Sequence, residues 1–251
     1  MARHVLVLGD SLAFHGPRRA EVLTHPGLYP NAMARALGAD VSATVVARLG
    51  WTARHAWEAL TRDPYVYSVL LPRADAVVLA VGGMDYLPAI LPTHLREGIR
   101  YLRPPALRRA TRAAFRAAQP HGARLTGGRW RTLPQRVTDQ HLSWCVGGVR
   151  TVRPGVPVVG ILPPPHSAAS YGRVLAGHPA AVAAARRWGD RERVPMVDLP
   201  AIVGPYLAAG RMNPDGMHWV WECHAEVGAA LARAVRDAPG WPAGNLADSG
   251  G

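Results

Sequence analysis

The chain has 251 residues, 49% of them apolar, and a formal net charge of +12, which suits one sizeable α/β domain better than two. No run approaches the ~18 consecutive apolar residues of a membrane span, so no membrane span is expected. All 29 basic residues are Arg, the side chain that grips phosphate and carboxylate bidentately. The charge therefore points to anionic ligands and not, by itself, to nucleic acid.

Apolar segments without strict alternation predict strands buried on both faces of a parallel sheet. In chain order they are Val5–Leu8, Val41–Ala47, Ala76–Val81, Val156–Leu162 and Val194–Leu199. Helical periodicity lies between and after them at Tyr29–Leu37, Ala53–Leu60, around Ala180–Trp188, at Pro200–Ala209 and from Trp221 to Val235. This alternation predicts a doubly wound α/β sheet with helices on both faces and ligands at the carboxyl ends of its strands. Asp10-Ser11, Gly50-Trp51 and Gly82 to Asp85 then share one rim.

The predicted catalytic domain is residues 1–240, interrupted by a segment from Pro88 to Gly148 that is too long for an ordinary connection. Between Arg96 and Arg136 it carries eleven Arg and one acid, Glu97. Pro104-Pro105 marks a helix start, with Leu107, Ala110, Ala114 and Phe115 as its apolar stripe. Two readings stand: a helical cap over the strand ends in which Arg108, Arg109 and Arg112 bind anions, and a solvated Arg-rich insertion. Residues 241–251 read as a disordered tail. The four-residue apolar run before Asp10 is too short for a secretory signal, so a cytoplasmic location is expected. Cys145 and Cys223 have no metal-type spacing, and sequence alone does not exclude a disulfide between them.

Gly9-Asp10-Ser11-Leu12 after the first strand reads either as a capped turn or as a nucleophile loop. A serine nucleophile requires a base, an orienting carboxylate and oxyanion donors. "NPDGMHW" supplies Asp215 and His218 three residues apart before the last helix, a spacing equally suited to plain helix capping.

Gly9-Asp10-Ser11-Leu12, Gly50, Gly82-Gly83-Met84-Asp85 and Asp215-Gly216-Met217-His218 together resemble, in order and spacing, the four blocks of the SGNH (GDSL) hydrolase family. The resemblance runs over almost the whole chain. It implies a flavodoxin-like three-layer α/β/α sandwich in which Ser11 attacks an acyl carbonyl, His218 is the general base and Asp215 orients it. It also implies oxyanion donors from the backbone of Ser11 and Gly50 and no metal or cofactor. The chain departs from the pattern at Met84, where the family's third block usually carries an Asn; a thioether cannot donate. Asn31 and Asn213 are candidate substitutes.

The stretches "GDSLAFHGP" and "VGGMDYLPAILPTHLREGIRYLRPP" are further similar to the mycobacterial branch of that family that acylates diglucosylglycerate. That likeness implies octanoyl-CoA as donor and diglucosylglycerate as acceptor. Asp10, His15, Trp51, Gly83, Met84, Asp85 and Tyr86 are then candidate substrate contacts, with Phe14 and Leu87 as further walls of an acyl slot. A simple esterase or thioesterase of the same fold, and a noncatalytic carbohydrate- or nucleic-acid-binding module, are the alternative readings.

Overall fold

A computed structural model describes residues 2–242. Five parallel strands, β1 (Arg3–Gly9), β2 (Val41–Ala47), β3 (Ala76–Ala80), β4 (Val158–Ile161) and β5 (Met196–Val197), lie in the order β2-β1-β3-β4-β5. β1 sits inside the sheet, with Arg3 opposite Val41 and Val5 opposite Ala76 at the start of its two ladders. Its side chains alternate between two cores. Val5 and Val7 join one core; Leu6 and Leu8 join the other. Covering both faces removes the reason for a polar position along the inner strands, which is why Val5–Leu8, β3 and β4 read as unbroken apolar runs, whereas the edge strand β2 carries Ser42 and Thr44 and buries only Val45.

On one face lie α1 (Tyr29–Leu37), α8 (Leu199–Ala208) and α9 (Trp221–Asp237), burying Met33, Val203, Val227 and Leu231. On the other lie α2 (Ala53–Arg62), α3 (Leu71–Arg73), α6 (Gln135–Val152) and α7 (His178–Glu192), burying Ala56, Leu71, Val146 and Trp188. The insertion contributes α4 (Thr93–Gly98) and α5 (Pro105–Leu125). Among the described residues no helix is long and apolar enough to cross a membrane. Cys145 and Cys223 are both buried free thiols.

Three expectations need correction. The segment 88–148 is not all cap, because from Gln135 onward it belongs to α6, whose Leu142, Cys145, Val146 and Val149 fill the second core. The stripe expected on α5 is not its inward face: Leu107, Ala110 and Ala114 are exposed, whereas Thr111, Phe115 and Gln119 turn inward. Gln119 fixes that rotation, donating to Pro88 O at 2.6 Å and accepting from Ile90 N–H at 3.1 Å. At the other terminus Trp241 packs on the first core under the Arg3 guanidinium, so the predicted tail begins too early; residues 243–251 lie outside the described residues.

Helices α1 and α9 pack closely at Gly228. A Cβ built there would meet Ala32 Cβ at 2.7 Å and the backbone N of Met33 and O of Tyr29 at 2.9 Å. Gly in a helix interior ordinarily costs about 1 kcal/mol relative to Ala, but here overpacking outweighs that gain. Gly228→Ala is expected to destabilise by about 1–3 kcal/mol, lowering Tm by roughly 2–4 °C per kcal/mol in a chain of this size. A variant with unchanged or raised Tm in a calorimetric scan would contradict this packing.

Candidate active site

β1 ends at Gly9, and the next residues turn at once into a short 3₁₀ turn, Ser11–Ala13. Asp10 caps that turn, its Oδ1 accepting from Leu12 N–H at 2.9 Å. The capped turn presents Ser11 at the carboxyl rim of the sheet. Gly216, between Asp215 and His218, has φ of +72°, and a Cβ there would meet Ser167 at under 3 Å. Only glycine lets that loop pass so close.

The two loops meet. His218 Nε2 lies 3.0 Å from Ser11 Oγ, and His218 Nδ1 lies 2.5 Å from Asp215 Oδ2. Asp215 Oδ1 accepts in addition from the N–H groups of Met217 and His218, at 2.8 and 3.0 Å. Partial burial opposes ionisation of Asp215, but these hydrogen bonds prevail and hold its pKa below the ordinary carboxylate value. The His218 pKa is lowered from 6.5 because burial outweighs the Asp215 carboxylate, with His15 adding a smaller push in the same direction. A neutral imidazole beside an ionised carboxylate donates from Nδ1 and leaves Nε2 free to take the proton of Ser11.

His15 stacks on His218, ring centroids 3.8 Å apart and 17° from parallel, while its Nδ1 donates to Gly16 O at 2.7 Å. It supports the His218 ring. His15, Asp215 and His218 place possible metal-ligand atoms within 4.8 Å of one another. Nearly parallel stacked rings, however, do not aim their in-plane lone pairs at a common ion.

Several candidate substrate contacts have structural uses instead. Asp85 is 2% exposed and accepts from Ala53 N–H, at the start of α2, and from the Thr138 hydroxyl on α6 at 2.9 Å. Burial pushes the Asp85 pKa up to about 7 against these hydrogen bonds. Asp10 is likewise driven to about 7 by burial first, with the Leu12 N–H opposing and Asp85 adding to it. Asn213 donates to Pro17 O at 2.5 Å and accepts from Asp215 N–H at 3.0 Å. Asn31 donates to Leu23 O and His25 O. Both amides are thus committed to loops and cannot replace the donor absent at Met84.

Ser11, Asp215 and His218 open onto a cavity of about 1540 Å³ that Gly50, Trp51 and Met84 also line. Gly50 has φ of +73°. Among the described residues neither the Ser11 nor the Gly50 N–H donates to a loop or cap acceptor. Arg108, Arg109 and Arg112 do not line this cavity. Arg109 and Arg112 are exposed, and Arg108 turns back to Arg100 O at 3.4 Å. The rotation of α5 set by Gln119 instead brings Arg116 to the wall, with Arg96 and Arg100 from the preceding turns and Arg48, Arg54 and Arg62 from the body. Sequence reasoning missed these, since spacing along a helix fixes a face but not its direction.

A second, narrow niche behind Ser11 is lined by Asp10, Gly83, Tyr86, Leu87 and His166. Tyr86 donates to Pro164 O at 2.7 Å. Phe14 lines neither space.

Comparison with known proteins agrees with this geometry. Residues 7–225 match the model of the GDSL-like Lipase/Acylhydrolase family. A diglucosylglycerate octanoyltransferase from Mycolicibacterium hassiacum is 43% identical over 93% of this chain and 95% of its own. One from Mycobacterium tuberculosis is 40% identical over 93% of this chain and 92% of its own. Among solved structures, a lipase/acylhydrolase from Enterococcus faecalis superposes with a TM-score of 0.62 at 17% identity, covering 93% of this chain and 95% of that one. A carbohydrate acetylesterase family member from Sinorhizobium meliloti gives 0.59 at 18% identity, covering 93% and 97%. The parallel sheet, the serine at the end of its first strand and the match over residues 7–225 lead to one conclusion: the chain belongs to the GDSL-like lipase/acylhydrolase family.

Proposed function

We propose that this protein is a serine-dependent acyltransferase that moves an octanoyl group from octanoyl-CoA to a hydroxyl of diglucosylglycerate. The observation that carries the reading is the Ser11–His218–Asp215 hydrogen-bonded chain opening onto an arginine-lined cavity. The two relatives at 43% and 40% identity, both diglucosylglycerate octanoyltransferases, support the acyl group and the acceptor.

In the first half-reaction Ser11 Oγ attacks the thioester carbonyl while His218 Nε2 takes the hydroxyl proton. The backbone N–H groups of Ser11 and Gly50 receive the developing oxyanion, a contribution worth about 10²–10³-fold per donor. The tetrahedral intermediate expels the CoA thiolate, which takes the proton from His218, and an octanoyl ester remains on Ser11. In the second half, a glucosyl hydroxyl attacks that ester as His218 takes its proton, and the proton returns to Ser11 Oγ as the sugar ester leaves. Asp215 stays ionised throughout and stabilises the imidazolium. No metal or cofactor enters any step.

Water competes for the acyl-enzyme, so transfer prevails only if the bound acceptor has a high effective molarity, which orientation alone raises to about 10⁵ M or more in favourable cases. The 88–134 part of the insertion, which contributes Arg96, Glu97, Arg100, Phe115 and Arg116 to the cavity wall, holds the acceptor and restricts water. Both substrates carry anionic groups, the phosphates of CoA and the carboxylate of glycerate, which match that wall.

Three outcomes check the proposal. Octanoyl-CoA consumption is expected to be slow alone and to accelerate at least tenfold with diglucosylglycerate, since bound acceptor outcompetes water. Mass spectrometry should then find one octanoyl ester per CoA released, and Ser11→Ala should abolish it. Octanoic acid as main product at saturating acceptor would make the protein an esterase. The acid limb of kcat/KM with an uncharged ester is expected below pH 6.5, because burial lowers the His218 pKa from that value and the base works only when neutral. A limb at pH 7 or above would transfer control to another group, Asp10 first. Finally, neutralising Arg96, Arg100 and Arg116 together should raise KM several-fold for octanoyl-CoA and leave that for a p-nitrophenyl ester unchanged, the difference shrinking as salt screens the charges. Equal changes for both donors would count against phosphate binding there.

A further inference from the structure

The cavity at Ser11 continues below the rim of the sheet. Its wall includes Thr44, Val45, Val46 and Ala47 of β2, which pair in register with Leu6 to Gly9 of β1. A strand rises about 3.3 Å per residue, so this arm descends roughly 10 Å from the rim. Successive strand residues point to opposite faces, so a space that touches all four runs along the strand's edge. That edge is free, because β2 is the outer strand of the sheet and its outward backbone groups have no further strand to pair with. The opposite side of the arm is α2, from Arg54 at the mouth to Arg62 at the far end. Eight residue steps at about 1.5 Å each give a matching length of roughly 12 Å.

The polar groups along this arm are largely unspent. Glu58, half-buried in α2, accepts no hydrogen bond among the described residues; Arg54 Nε at 3.5 Å and Arg62 Nη1 at 4.0 Å are ion contacts only. Arg62 likewise makes no hydrogen bond among the described residues, and its side chain is 78% exposed. Asp63 beside it accepts from Tyr65 N–H with Oδ1 and keeps Oδ2 available. An alkyl chain in the arm would desolvate these charges and return no hydrogen bond. The multiply anionic phosphates of CoA would meet the Glu58 and Asp63 carboxylates. Sugar hydroxyls suit both signs, since they donate to carboxylates and accept from guanidinium and backbone N–H groups. Diglucosylglycerate is a glycosyl chain with a single carboxylate at one end, and two linked hexoses are about as long as the arm.

We propose that the arm between β2 and α2 is the acceptor subsite, with sugar hydroxyls donating to Glu58 and the glycerate carboxylate held by Arg62. The inference rests on the acyltransferase reading above. It puts the reacting hydroxyl at the mouth, between Ser11 and the insertion, and the charged end of the acceptor at the far end of the arm. The Arg62 guanidinium offers paired N–H groups to the two carboxylate oxygens. A glycosyl chain without a terminal anion loses this contact, and a shorter one cannot reach Arg62 while its hydroxyl lies at Ser11. Arg62 then selects for both charge and length.

The test uses p-nitrophenyl octanoate as donor, which carries no phosphate, and two acceptors, diglucosylglycerate and its primary amide. In the wild type, KM for the acid is expected about three- to tenfold below that for the amide, the scale of one accessible bidentate ion pair. Arg62→Gln should raise KM for the acid by that factor and leave KM for the amide where it was, closing the cycle. Equal KM values for acid and amide in the wild type, or a loss shared by both acceptors in Arg62→Gln, would overturn the proposal. So would an equally large rise in KM for octanoyl-CoA, which would give the arm to the phosphates. Ala59, a buried residue of α2 on the arm wall, supplies a steric test. Ala59→Leu narrows the arm and should raise KM for either acceptor about fivefold or more. If it instead slows octanoate release from the p-nitrophenyl ester and spares acetate release, the alkyl chain fills the arm and the proposal falls. Should Ala59→Leu fail to fold, Arg62→Gln, a change at an exposed side chain, still decides. Wild-type protein that hydrolyses the ester but octanoylates neither acceptor would overturn the acyltransferase reading itself, and this subsite with it.

Discussion

The chemistry of this fold depends on a contact between two loops 207 residues apart, where His218 Nε2 meets Ser11 Oγ. A hydrogen bond of that kind is worth only about 1 kcal/mol net and cannot hold the loops together unaided. The work is done around it. Asn213 reaches from the second loop to Pro17 O, and buried His224, at the start of α9, donates to His15 O at 3.1 Å while accepting from Tyr29 N–H. The Trp221 ring covers Gly16 and Gly27 so closely that a Cβ at either would strike it. The stacked His15 then limits the tilt of the His218 ring. Two backbone carbonyls, one backbone N–H and two glycines thus set a distance that the reacting pair merely uses.

The same rim carries two buried carboxylates engaged in structural hydrogen bonds. Asp85 ties the first turn of α2 to α6 through Ala53 N–H and Thr138, where a carboxylate also meets the positive end of the α2 dipole. Asp10 shapes the turn that presents Ser11. Each is worth its desolvation because a parallel sheet ends in unpaired backbone groups, and a helix start buried without an acceptor is unstable. The cost is visible in both pKa values, pushed up to about 7. A rim built this way keeps its charge low beside a site that must later accommodate an oxyanion.

How much of this was legible in the sequence follows from the same physics. Strands buried on both faces leave unbroken apolar runs, so β1 to β5 and most flanking helices were readable, and Tyr29–Leu37 was found to the residue. The pairing of Ser11 with Asp215 and His218 was legible only because the motifs stood in a known order. α6 escaped, although Leu142, Cys145, Val146 and Val149 have helical spacing, because the Arg-rich run before it masked where core resumes. The helical segment Val66–Arg73 escaped because Pro64 and Pro72 interrupt its pattern. The error over Arg108, Arg109 and Arg112 is of another kind. Which face of α5 turns inward is decided by Gln119 and the loop at Pro88, contacts that no local periodicity encodes.

The insertion's charge can be argued one step further. Its single acid between Arg96 and Arg136, Glu97, is spent on the body of the protein: Arg54 Nη2 donates to it at 2.7 Å and His55 Nε2 at 3.1 Å. Partial burial resists ionisation of Glu97, yet Arg54 and His55 keep its pKa below the ordinary value. A partly exposed pair like this adds little stability, typically about 0–1 kcal/mol; its value lies in registering α4 against α2. Among the described residues Arg96, Arg100 and Arg116 then form no ion pair, and their charge is left facing the cavity. The wall as a whole carries six Arg against Glu58, Asp63, Glu97 and Asp215, an excess of positive charge that favours anions in the space it encloses. The segment that contributes Phe115 to the wall of the cavity at Ser11 is therefore also the one that places Arg96, Arg100 and Arg116 there, so the shape and the charge of that wall come from one piece of chain.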